Sequence, residues 1–74
     1  MMTEPYIELN AFLKVKNLAT SGGQAKVLIR SGAVLVNNVP ETRNRRKLVV
    51  GDHVSYNEKM YTITSDLVRL HVIK

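Results

Sequence analysis

Two groups of side chains in this sequence have the types and spacing to hold phosphate. On one helix-like face Gly23, Lys26 and Arg30 recur at i, i+3 and i+7. Lys26 and Arg30 are like charges four residues apart, which costs an isolated helix about a few tenths of a kcal/mol. A bound phosphate reverses that cost. The face leads back to Ser21-Gly22-Gly23-Gln24, a helix start whose free amides and positive dipole end favour an anion. Gly22 and Gly23 lack a Cβ, so a phosphate can approach the backbone closely. The second group is Arg43-Asn44-Arg45-Arg46-Lys47, four cations in five residues. Guanidinium forks suit phosphate and also stack on bases. The bland readings are a capped, solvated helix face, with Ser21 as a structural cap, and a solvated charged loop. Against the second, the loop cations are expected to repel one another without nearby acids. Asn37 is a turn residue first, and a contact from it to nucleic acid is an addition.

Charge distribution supports the same picture. The 74 residues carry 11 basic and 6 acidic groups, a net +5 with a pI near 9.9. Between residues 14 and 47 stand Lys14, Lys16, Lys26, Arg30, Arg43, Arg45, Arg46 and Lys47 against Glu41 alone, a net +7. The rest of the chain is mildly acidic. A basic balance of this kind points to a polyanion.

Catalysis and membranes find little support. There is no cysteine, which removes disulfides and thiolate chemistry and fits a reducing, cytoplasmic compartment. His53 and His71 are isolated from one another and from any metal-ligand spacing. No phosphate-binding loop or dinucleotide fingerprint occurs. The longest apolar run, residues 33–36, is four residues, far short of a span or a signal core. The expectation is no enzyme activity, no cofactor, no metal and no small-molecule substrate.

The elements that must position the cations can be read in outline. Residues 6–7 fit either a short strand or a first helical turn. Residues 8–17 read as a helix, with Leu9, Phe12 and Leu13 on one stripe. A second helix begins at Ser21, with Gln24 at capping-box spacing. It carries Ala25, Leu28 and Ile29 on its apolar side and stops at Gly32. Period two then takes over through Val34 and Val36 to an Asn37-Asn38 turn. Val39 begins a return strand that Pro40 confines to an edge. Leu48, Val49 and Val50 are expected to anchor the chain before a Gly51-Asp52 turn. Three more strands are expected at residues 53–56, 60–64 and 67–73, with turns at 57–59 and 65–66. The sum is an α+β domain over residues 1–74: two packed N-terminal helices followed by a small antiparallel sheet of short strands.

The spacing Ser21-Gly22-Gly23-Gln24-Ala25-Lys26, then Leu28-Ile29, Gly32-x-Val34-x-Val36-Asn37 and Val50-Gly51-Asp52 resembles a known family. It is the RNA-binding domain named after small-subunit ribosomal protein S-four, found also in pseudouridine synthases and tyrosyl-tRNA synthetases. With residues 41–47 ahead of the anchor, the chain looks closer still to small stand-alone bacterial proteins of the YaaA/YbcJ type. The resemblance covers residues 8–56. It implies a helix–helix–hairpin unit, the αL motif, whose second helix and hairpin face RNA. The surface it implies includes Ser21, Gln24, Lys26, Arg30, Asn37 and the basic loop from Arg43 to Lys47. With Lys14, Lys16, Gly22 and Gly23 from the charge and helix-start readings, the expected RNA contacts are Lys14, Lys16, Ser21, Gly22, Gly23, Gln24, Lys26, Arg30, Asn37, Arg43, Arg45, Arg46 and Lys47. One departure stands out: many members have Arg where this chain has Gly22.

The function expected is a small cytoplasmic protein gripping the phosphate backbone of structured RNA, rRNA or tRNA, in ribosome or translation-related work. Two other readings stay open: an adaptor docking an acidic protein partner, and a DNA-binding module.

Overall fold

The computed structural model describes residues 5–72, with side chains described through residue 68. Strand β1 (Ile7–Glu8) runs directly into helix α1 (Leu9–Val15), and helix α2 (Gly22–Arg30) follows. Strands β2 (Leu35–Val36), β3 (Val39–Pro40), β4 (Lys47–Leu48), β5 (His53–Tyr56) and β6 (Lys59–Thr62) come next, and helix α3 (Ser65–Val72) closes the described chain. One antiparallel sheet has the order β3-β2-β5-β6, and β1 pairs with β4 in a separate two-stranded ribbon. The α+β class and the two leading helices stand as expected.

Residues 6–7 resolve in favour of a strand, with Ile7 paired to Leu48. Helix α1 is shorter than its apolar stripe suggested because Asn17 turns left-handed, φ 61°. There the Asn17 N–H meets the Lys14 carbonyl and the Leu18 N–H meets the Leu13 carbonyl, the paired bonds of a Schellman stop. Helix α2 ends as the sequence indicated, with Gly32 at φ 83°. Two tight turns share one geometry. Asn37-Asn38 (φ 53° and 70°) joins β2 to β3, and Asn57-Glu58 (φ 55° and 66°) joins β5 to β6. Positive φ at both central residues matches the right-handed twist of the strands. Strand β3 with Pro40 lies at the sheet edge, where its missing donor is harmless.

The buried core joins every layer. Leu9, Phe12 and Leu13 of α1 meet Ala25 and Ile29 of α2, with Val34, Val36, Leu48, Val54 and Ile63 beneath. The Phe12 and Tyr61 rings meet edge to face with centroids 5.9 Å apart.

Three expectations are corrected. The apolar anchor is Leu48 alone: Leu48 is fully buried, Val49 is half-buried and Val50 is exposed. Strand β6 starts at Lys59, because the turn needs only two residues. Residues 67–72 are helical, not a strand; residue 73 lies outside the described residues. The Thr64 carbonyl receives the Leu67 and Val68 N–H groups, Asp66 complements the dipole in the first turn, and both Leu67 and Val68 are buried. The helix packs against β1. So brief an apolar run satisfies both periods, and burial against β1 decides between them.

Candidate nucleic-acid interface

Helix α2 presents its cations by burying the other side. Ala25 and Ile29 are fully buried, whereas Lys26 and Arg30 are exposed. Ser21 caps the helix: its Oγ accepts the Gln24 N–H at 3.1 Å. The reciprocal bond goes one residue further back than a capping box predicts. Gln24 Oε1 accepts the Thr20 N–H at 2.6 Å and the Thr20 hydroxyl at 3.0 Å. These contacts fix the loop before the helix while leaving Gly22 and Gly23 exposed. A Cβ on Gly22 would stand 3.9 Å from Lys14 Nζ. Lys14, from the last turn of α1, thus brings an ammonium group to the corner of α2 where position 22 has no side chain. Lys16 caps the end of α1 with its backbone and is exposed. Among the described residues, Lys14, Lys16, Lys26 and Arg30 have no carboxylate partner.

The basic loop is held more firmly than its composition suggests. Helix α1 has no side-chain cap at Glu8. Instead the loop caps it: the Leu9 N–H donates to the Arg46 carbonyl at 2.8 Å and the Asn10 N–H to the Asn44 carbonyl at 3.1 Å. These are two of the first-turn donors a helix leaves unpaired. The β1–β4 ribbon closes the same corner, setting Glu8 opposite Lys47. The loop therefore rests on the start of α1 while Lys14 stands near its end. About 7–8 Å of helix rise separates Leu9 from Lys14, so one short helix joins the two cationic groups.

The expectation that the loop cations lack nearby acids is overturned. Glu41 is buried, 8 % exposed. Its Oε2 accepts Arg43 Nε at 2.9 Å and the Arg43 N–H at 3.0 Å. Its Oε1 accepts Arg46 Nη1 at 2.8 Å and Arg43 Nη2 at 3.3 Å. The Arg43 side-chain hydrogen bond leads in holding the Glu41 carboxyl at about 2, against the push of burial, with the Arg43 amide and Arg46 adding to it. Arg45 reaches Glu8 at 3.2 Å. Both Arg43 and Arg45 have their ordinary values raised by these carboxylates, through hydrogen bonding first and charge second. Lys47 Nζ lies 4.9 Å from the centre of the Tyr6 ring, a cation–π distance. Together the four cations line an open groove of about 450 Å³ made by Arg43, Arg45, Arg46 and Lys47.

The structure brings the expected residues into two groups: Lys14 with the start of α2, and the loop with the start of α1. Asn37 stands in neither. Its Nδ2 donates to Asp52 Oδ1 at 3.2 Å and its Oδ1 accepts the His53 N–H at 3.0 Å, so its amide braces the β2–β5 junction. Asp52 also accepts the Val49 N–H at 2.9 Å, which makes it a turn residue. His53 Nδ1 meets Thr62 Oγ1 at 3.1 Å across β5 and β6. Among the described residues no three His, Asp or Glu gather as a metal site, and no helix is long and apolar enough to cross a membrane. Sequence reasoning missed Glu41 and Glu8 as partners of the loop. Glu41 could have been found, since it lies two residues before Arg43 and five before Arg46. The link from Glu8 to Arg45 spans 37 positions and carries no local signal.

Comparison with known proteins agrees with this architecture. The chain is 44 % identical over 52 residues to a putative RNA-binding protein, YbcJ, of Escherichia coli K12, covering 70 % of this chain and 74 % of that one. It is 48 % identical over 48 residues to a probable ribosome maturation protein, RlbA, of Bacillus subtilis 168, covering 65 % and 68 %. The solution structure of Escherichia coli YbcJ, described as revealing an αL motif involved in RNA binding, superposes with a TM-score of 0.63 at 35 % identity over 88 % of this chain and 82 % of that one. The S4 domain family model matches residues 1–64, and the chain belongs to that family.

Proposed function

We propose that this protein binds structured RNA, rRNA or tRNA, by gripping its phosphate backbone, and that it does so without catalysing a reaction. The observation that carries this reading is the groove of Arg43, Arg45, Arg46 and Lys47, set on a backbone pinned to α1. A cation held in place loses little freedom when it meets a phosphate, so less of the contact energy is lost to ordering. The relatives named as an RNA-binding protein and a ribosome maturation protein support RNA as the partner and ribosome-related work as the setting.

The mechanism has two parts. Lys14 stands at the glycine start of α2, where exposed amides and the helix dipole favour an anion. Lys26 and Arg30 carry positive charge from there along the exposed face to the last turn of the helix. Ser21 and Gln24 hold that start open, Gly22 and Gly23 let the backbone approach, and Lys16 adds charge at the rim. The loop cations meet a neighbouring stretch of backbone. The exposed pair of Arg45 with Glu8 is easily exchanged for a phosphate, since surface ion pairs contribute little. Asn37 serves by bracing the hairpin beside this surface. Phosphate contacts fix register and carry no direct sequence information, so the protein reads RNA shape more than sequence.

Charge reversal tests the reading. Lys26→Glu should weaken binding to folded RNA much more than Lys59→Glu, because Lys59 lies on β6 away from both groups. Equal losses would show that only net charge matters and would sink the proposed surface.

A further inference from the structure

Resting on the RNA-binding reading above, we infer that Glu41, an acid in a protein that binds polyanions, strengthens RNA binding by aiming Arg43 and Arg46 at the phosphate groove. Glu41 is a positioning residue: it touches the guanidiniums and not the RNA. Four observations carry this. First, the carboxylate is buried and both of its oxygens are taken by the two arginines and the Arg43 amide. Second, Glu41 is itself anchored, its N–H donating to the Val34 carbonyl at 2.9 Å just after β3. Third, the two arginines keep unlike amounts of free surface. The Arg43 side chain is 72 % exposed and that of Arg46 30 %, so Arg43 offers its outward face while Arg46 is wedged between Glu41 and the Lys47 carbonyl. Fourth, both line the groove. A guanidinium has five donors in a rigid fork. Spending its inner donors on one fixed carboxylate sets the direction of those that remain and holds two like charges side by side.

This arrangement makes a prediction opposite in sign to charge counting. Glu41→Gln removes a negative charge, and counterion release alone would then tighten RNA binding. Positioning predicts a loss of about tenfold at moderate salt, on the scale of one displaced charged hydrogen bond. It also predicts a shallower plot of log affinity against log salt, by about 0.7–0.9 for each phosphate that the protein no longer neutralises. A variant that merely lowers the folded fraction leaves that slope unchanged. Glu58→Gln, the same charge change in the β5–β6 turn, is the matched control and should bind as tightly as the unmodified protein or more tightly.

The experiment is a fluorescence titration of labelled tRNA and an rRNA fragment with the unmodified protein and the two variants, over a range of salt, below the melting transition of each. Weaker binding and a shallower slope for Glu41→Gln alone support the inference. Equal or tighter binding by Glu41→Gln overturns it while leaving the RNA-binding reading intact; no binding by the unmodified protein overturns both. If Glu41→Gln does not fold, the unmodified protein still decides. The Arg43 Nε–H should exchange with solvent at least tenfold more slowly by NMR than that of Arg30, which has no carboxylate partner among the described residues, and should stay protected when RNA is added. Exchange as fast as Arg30, or protection that disappears on RNA addition, overturns the inference.

Discussion

Acid should remove a definable part of this protein's stability, and Glu41 locates it. In the folded chain the Arg43 hydrogen bond, aided by the Arg43 amide and by Arg46, holds the Glu41 carboxyl at about 2, against an ordinary value of 4.5. The unfolded chain therefore binds this proton more tightly than the folded one. The stabilisation is complete above about pH 4.5 and drains away as pH falls towards 2. A fall from 4.5 to about 2 is worth at most ~3 kcal/mol. Arg43 stands largely in water, so screening brings the expected value to about 1–2 kcal/mol. A domain of this size moves its Tm by about 4–8 °C per kcal/mol, so Glu41→Gln should melt roughly 5–15 °C below the parent at neutral pH. The assay is thermal unfolding by circular dichroism from pH 7 to pH 2, parent and variant side by side. The gap between them should close in the acid range as the parent's carboxyl takes up its proton. A gap that stays constant from pH 7 to pH 2 would refute the reasoning, because it would trace the loss to shape and not to charge.

Other outcomes follow from individual contacts. Ser21→Ala removes the cap on the Gln24 amide and should cost about 1 kcal/mol in denaturant unfolding, with RNA binding weakened only as far as the start of α2 frays. Glu58→Gly should raise stability by about 0.5–1 kcal/mol, because Glu58 sits at φ 66° in a turn that favours glycine; an unchanged or lower denaturation midpoint would contradict it. Arg45→Ala should weaken every RNA about equally and lower the salt slope by about 0.7–0.9. Unchanged affinity for that variant would remove the outer face of the loop from the interface.

How much of this was legible in the sequence depended on how local each feature is. Helix α2 was legible at both ends, since Ser21, Gln24 and Gly32 act within a few residues of themselves. The Asn37-Asn38 hairpin was legible for the same reason, because asparagine tolerates the left-handed region. The α3 segment was not, since its residues fit a strand as well as a helix until β1 is seen to cover Leu67 and Val68. The pairing of β1 with β4 was invisible, being two residues long and made across some forty positions. The cap on α1 was hidden too: it is a backbone gift from Asn44 and Arg46, with no side-chain signature near Glu8. At the interface, counting charge found the cations but treated Glu41 as a subtraction from them. Its location under the loop makes it their support, and only the fold shows that.

The surface claimed for RNA is tested most directly by titrating salt against affinity for purified rRNA, tRNA and duplex DNA in parallel. About five neutralised phosphates should give a slope near −3.5 on single-stranded stretches and a value of that order on folded RNA, with clear preference for one folded RNA over the duplex. Equal affinity for all three would reduce the protein to a generic polycation, and no binding at physiological salt would contradict the account outright.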